Sequence, residues 1–237
     1  MRALIHRTTS IWRKEEGFSF LLALLVAALF VAPLLKEEFP VLAAASTALL
    51  VLLFVVGALV VSPNAWAAIG VSLLAGSAVA LEMVYEISGA DPFAPWRLGT
   101  AGLTFGLFTA VTLGRVFAPG PVTSHRLVGA VVAFLLVGLT WAYAYQWLEA
   151  VRPGSFHLGT APKGSYPTLV YYSFVTLATV GYGDITPASS AARAISNVEA
   201  LVGVLYPAVF IGRLLSKQVG SGTPSGEDGP QAPNGSA

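Results

Sequence analysis

"TLATVGYGDITP", residues Thr176–Pro187, decides how this chain must be built. Two glycines flank a tyrosine, Thr176 and Thr179 stand three residues apart, and Asp184 follows directly. Apolar residues lie on both sides, in the run Pro167–Ala178 before it and the run Ala192–Leu215 after it. Non-helical backbone is tolerated at membrane depth only where protein buries it or where it lines a watery path, because lipid offers no partner for N–H and C=O groups. The run Pro167–Ala178 is about 18 Å long as a helix, too short to cross a bilayer. The segment therefore reads as a half-helix followed by a loop that dips into the membrane from outside and turns back.

The rest of the chain agrees with a membrane setting. Of its 237 residues, 55% are hydrophobic and only 11% charged, against roughly 25% charged in a soluble domain. Mean hydropathy is +0.73. Six stretches are long enough to span: approximately Phe18–Leu35, Val41–Val61, Ala65–Ile87, Arg97–Ala118, Leu127–Ala150 and Ala192–Leu215. Lys36-Glu37-Glu38, Ser62-Pro63-Asn64, Asp91-Pro92 with Pro95, and Pro119-Gly120-Pro121 punctuate them. The first run is longer than the core of a secretory signal and is read as a retained helix.

With the N-terminus in the cytosol, eight basic residues fall on that side and five on the other, which leans toward both termini being cytosolic. Trp141, Tyr143, Tyr145 and Trp147 crowd one end of the fifth run and read as an interfacial aromatic belt. A net charge of +1 gives no reason to expect nucleic acid as a partner. Cysteine is absent, which excludes disulfides and thiolate chemistry, and His6, His125 and His157 match no metal-ligand spacing. Nothing in the motifs implies an enzyme or a cofactor.

The loop's own residues suggest its chemistry. A strand whose consecutive carbonyls all face one side must alternate between ordinary and left-handed backbone. Gly181 and Gly183 can take positive φ without steric penalty. Val180 is stiff and is expected to pack outward against the supporting helix. Thr179 adds a hydroxyl oxygen, and Tyr182 is large enough to wedge outward. A row of aligned carbonyls suits a dehydrated cation, and the negative C-terminal end of the half-helix favours one too.

"YYSFVTLATVGYGDITP", Tyr171–Pro187, resembles the pore of the potassium-channel family, and specifically a bacterial two-span ion-channel domain. The resemblance covers roughly His125–Lys217. It implies that the carbonyls of Thr179, Val180, Gly181 and Tyr182, with the Thr179 hydroxyl, coordinate K⁺ in a filter completed by Gly183. It places Thr176, Tyr171, Tyr172 and Asp184 as supports of that filter. Tyr171 and Tyr172 stand where the family often has tryptophans. Val175 stands where some members have an acid that pairs with the residue matching Asp184. Four copies around an axis follow from the family, since one chain supplies one row of carbonyls.

The fold class expected is all-α transmembrane: six spanning helices, a re-entrant half-helix and a filter loop, assembled as a homotetramer in the cell (inner) membrane. The organisation expected is a cytosolic segment at 1–17, a four-helix peripheral domain at 18–124, a pore domain at 125–217 and a disordered cytosolic tail at 218–237. K⁺, membrane lipid and further copies of the chain are the partners expected.

Secondary features carry open alternatives. Gly203 lies where related channels have a hinge glycine, and Pro207 one turn later removes a helix hydrogen bond. Gly203 reads equally as small-residue packing. Val204, Pro207, Ile211 and Leu215 recur at helical spacing and are the expected inner pore lining and gate. Glu199 is an intramembrane acid, read as a hydrogen-bond partner of the half-helix rather than an ion contact. Glu82 and Glu86 share a face, either solvated or paired with Arg97.

The fourth run holds only Arg97 and Arg115, near its ends, in place of the regular arginines a voltage sensor needs. Gly99, Gly102 and Gly106 there read as close helix packing. A voltage-gated channel is thereby disfavoured, and a non-conducting membrane scaffold or sensor subunit is the other alternative.

Overall fold

The computed structural model describes residues 16–31, 65–88, 92–120, 123–159 and 166–221. The second expected span and the terminal segments 1–15 and 222–237 lie outside the described residues. The described elements are, in order, α1 (Glu16–Val26) continuing as a π-helical turn (Ala27–Val31), α2 (Ala65–Ser88), α3 (Ala94–Val116) and α4 (Ser124–Val151). After these come β1 (Phe156–His157), α5 (Tyr166–Leu177), β2 (Thr186–Pro187) and α6 (Ser190–Ser221). The described residues are mostly helical, as the apolar runs predict.

α4 is the hub on which α1, α3 and α5 pack. The reason lies in complementary side chains. A Cβ placed on Gly102 would sit 3.3 Å from Tyr143 Cβ, and one on Gly99 would sit 3.5 Å from the Trp147 ring. The small residues of α3 thus form a shallow groove that takes the large residues of α4. Phe105 and Phe108 of α3, Leu21 and Leu25 of α1, and Val132 and Leu136 of α4 close this core and are almost wholly buried.

A second core joins α4 to the segments around the loop. Tyr145, Phe156 and Tyr172 meet edge to face, with ring centroids 5.2–5.4 Å apart, a preferred aromatic geometry. Here the structure corrects one expectation. Tyr143 and Tyr145 are buried, at 5% and 0% exposure, so they are core residues and not part of an interfacial belt. Tyr143 stacks on Phe105 of α3. Alternate positions on a helix point to different faces, and here both of those faces are covered by protein.

Among the described residues, two helices are long and apolar enough to cross a membrane, Ser124–Val151 and Ser190–Arg213. They bracket α5, whose 12 residues are too few to cross. Ser189 starts α6 by accepting the Ala192 N–H on its Oγ at 3.1 Å, which serves one of the orphan donors of the first turn. The helix then runs unbroken through Pro207 to Ser221, so residues 218–221, expected in a disordered tail, continue the helix; the rest of that expected tail lies outside the described residues.

Candidate functional site

The backbone from Thr176 to Gly183 is organised by the end of α5. Ala178 N–H donates to Phe174 O and Thr179 N–H to Thr176 O, both at 2.9 Å, which closes the helix. The Val180 and Gly181 N–H groups then both turn back to Val175 O, at 2.9 and 3.4 Å. That carbonyl would otherwise be an orphan of the helix C-terminus.

Beyond it the chain alternates. Thr179, Gly181 and Gly183 have φ of 58°, 59° and 82°, while Val180 and Tyr182 between them do not take positive φ. Alternating handedness lets successive carbonyls point the same way. For Gly181 and Gly183 this matches the expectation. Thr179 was not foreseen: it is the only described non-glycine residue with positive φ, and a β-branched side chain is strained there.

The outer end of the ribbon is pinned separately. β1 and β2 pair antiparallel, Phe156 opposite Pro187 and His157 opposite Thr186. Ser155 O accepts the Ala188 and Ser189 N–H groups at 2.8 and 3.2 Å. Gly159, at φ 57°, passes so close to Asp184 that an added Cβ would lie 3.0 Å from its backbone oxygen. Glu149 orders the preceding turn by accepting the Gly154 and Phe156 N–H groups.

The two tyrosines of α5 divide their work. Tyr171 lies parallel to Tyr182, with centroids 6.4 Å apart and planes 3° from parallel. Tyr172 faces the other way, its hydroxyl 2.8 Å from Ser196 Oγ of α6. Its contact is therefore with the inner helix and not with the ribbon. Val180 is half exposed in the single chain rather than packed under α5, and Tyr182 is 70% exposed.

α6 faces this assembly with a narrow stripe: Ala192, Ser196, Glu199 and Gly203 are buried. Gly203 touches the end of α5 so closely that a Cβ would fall 2.0 Å from Leu177 O. Close packing thus requires glycine here, whether or not the helix bends. Glu199 is fully buried and hydrogen-bonds Tyr145 Oη of α4 and, at 2.5 Å, Ser173 Oγ of α5. The expected link to the half-helix is present. Val204, Pro207 and Ile211 are exposed in the single chain, and the Leu215 side chain lies outside the described residues.

Sequence reasoning missed Ser173, Tyr145 and Gly138. A hydroxyl inside an apolar half-helix signals a buried partner, but the partner's identity needs the fold. Arg97 is paired with Glu82 at 2.7 Å, one of the two alternatives left open, and its guanidinium lies 4.6 Å from the Tyr85 ring centroid.

Two apolar helices bracketing a half-helix and an alternating ribbon define the pore-domain class of membrane protein. The comparisons agree. The ion-channel family matches residues 128–218. The "Two pore potassium channel c" of Oryza sativa subsp. japonica is 33% identical over 85 residues, 36% of this chain and 17% of that protein. The "Probable potassium channel protein 2" of Methanocaldococcus jannaschii is 34% identical over 82 residues, 35% of this chain and 20% of that protein. "Protein LctB" of Bacillus caldotenax is 50% identical over 118 residues, 48% of this chain and 87% of that protein. The chain belongs to the potassium-channel family through this pore domain, a family of integral membrane transport proteins and not of enzymes. It spans only 17–20% of the length of the first two relatives. No solved structure matches it significantly.

Proposed function

We propose that this chain is one subunit of a homotetrameric, K⁺-selective channel that conducts passively across the cell (inner) membrane. The observation that carries the reading is the alternation of backbone handedness from Thr179 to Gly183, with its N–H groups anchored on Val175. Four such ribbons around an axis would present the carbonyls of Thr179, Val180, Gly181 and Tyr182, with the Thr179 hydroxyl, as a replacement for the hydration shell of K⁺. Tyr171 and Asp184 support the outer half, and Thr176 the inner. Tyr172 supports it at one remove, by fixing α5 to α6.

The peripheral helices complete six spans, with both termini in the cytosol. Val204, Pro207, Ile211 and Leu215 line the inner pore, where a narrow apolar ring can gate by dewetting. Any bend of α6 centres on Pro207. Voltage dependence is weak, because only charge that moves through the field does work. α3 carries two arginines, and one of them is already held by Glu82.

Purified protein in liposomes tests the reading. K⁺ or Rb⁺ uptake that excludes Na⁺ and is lost in Gly181→Ala is the expected result. Sealed, inert vesicles would overturn it in favour of a scaffold subunit, and a steep voltage threshold would overturn the gating part.

A further inference from the structure

The hydrogen bonds around Glu199 contain a proton count that a charged carboxylate does not satisfy. Ser173 Oγ lies 2.5 Å from Glu199 Oε1 and 2.8 Å from Gly138 O. Each distance is within hydrogen-bonding range, and two oxygens that close repel unless a proton lies between them. A serine hydroxyl has one proton. Gly138 O is a carbonyl and can only accept, so the Ser173 proton belongs in that bond. The proton between Ser173 and Glu199 must then come from the carboxyl. Tyr145 donates its own proton to the other carboxyl oxygen. The order is Tyr145 to Glu199, Glu199 to Ser173, Ser173 to Gly138 O, and every polar atom in it is served.

The surroundings point the same way. Glu199 is 0% exposed within the single chain, so its carboxyl is screened from bulk solvent and from a neighbouring subunit. Among the described residues no lysine or arginine lies within ion-pair distance of it. An unpaired carboxylate in such a place is strongly disfavoured. The groups facing it are Tyr145 from α4 and Ser173 from α5, with Tyr172 packed against Tyr145.

We infer that Glu199 carries its proton and is a positioning residue, clamping the half-helix α5 between α4 and α6. The clamp joins all three elements at Ser173, one turn before Thr176, where the ribbon's anchoring begins. Beside it on α5, Phe174 is locked against the same Gly138, where an added Cβ would lie 2.7 Å from its ring. The effect on conduction rests on the proposed pore; the protonation state does not.

Infrared spectroscopy of the purified full chain at neutral pH tests the proton directly. Wild-type protein is expected to show a protonated-carboxyl C=O band that Glu199→Gln removes and Ser173→Ala shifts. Absence of any band difference between wild type and Glu199→Gln overturns the inference. Liposome K⁺ flux tests the clamp. Glutamine keeps one donor and one acceptor, so Glu199→Gln is expected within about twofold of wild type. Glu199→Asp is too short to reach both partners and is expected to lose about tenfold or more. Equal loss in both variants overturns the positioning role. A wild-type chain that carries no K⁺ overturns the proposed function instead, and the infrared band still decides the protonation state.

Discussion

Thr179 is where the ribbon's geometry is least comfortable and its chemistry densest. Its left-handed backbone, φ 58°, costs about 1–2 kcal/mol for a residue with a side chain. The strain is compatible with a need for that carbonyl and that hydroxyl at one position. Thr179→Ser keeps both and is expected to leave K⁺ flux near wild type, whereas Thr179→Ala bears the same backbone burden without the oxygen and is expected to lose flux. Equal flux in the two variants would remove the hydroxyl from the mechanism. Gly203 presents the opposite case, a position ruled by space. With Leu177 O 2.0 Å from where a Cβ would be, Gly203→Ala must push α5 and α6 apart. Overpacking of this kind costs about 1–3 kcal/mol. Thermal unfolding of the purified protein should show the loss, with Gly212→Ala as control, because a Cβ there meets nothing within 4 Å.

Among the elements, α6 is tied to the chain at two distant ends. Its start is fixed by Ser189 and by Arg193, whose Nε donates to Pro187 O at 3.2 Å. Far along it, Arg213 reaches back to the end of α3, donating to Phe117 O and Ala118 O at 2.6 and 2.8 Å. Arg126 of α4 donates to the same Ala118 O at 2.8 Å. Both guanidinium groups thus serve the exposed carbonyls of a helix C-terminus, where a cation is favoured. Because they share an acceptor, neither is indispensable alone. Arg213→Gln is expected to lower stability by about 1 kcal/mol, and the Arg126→Gln/Arg213→Gln pair by more than the two single losses combined. Additive shifts in melting temperature would show that the two arginines act independently. The contact also ties the end of α3 to α6 beyond Gly203 and Pro207.

At the scale of the whole molecule, the single chain is unfinished. α6 buries one stripe and leaves Val198, Leu201, Leu205 and Val209 uncovered, each more than 45% exposed. Tyr182 and Val180 are exposed as well. Large apolar surfaces of this extent require lipid or protein against them. Native mass spectrometry in detergent is expected to find four chains. Gly181→Ala is expected to leave that assembly intact, since nothing in its own chain lies within 4 Å of the added methyl. A monomer that still carried K⁺ would contradict a ring of ribbons.

The sequence by itself determined the membrane setting, the position of the half-helix and the residues of the ribbon. Those follow from local terms: the length of an apolar run, the backbone freedom of Gly181 and Gly183, and a motif read within 12 residues. It also foresaw that Gly99, Gly102 and Gly106 would pack closely, because small residues at helical spacing leave a groove. Only the tertiary structure decided that Tyr145 is core and not belt, that Tyr171 and Tyr172 face opposite ways, and that Gly203 is held by a carbonyl. It alone brought Glu199, Ser173 and Gly138 into one line across 61 residues of chain. Such meetings depend on which face each helix turns toward its neighbours. That orientation is set by the packing of all the helices together and not by any one segment.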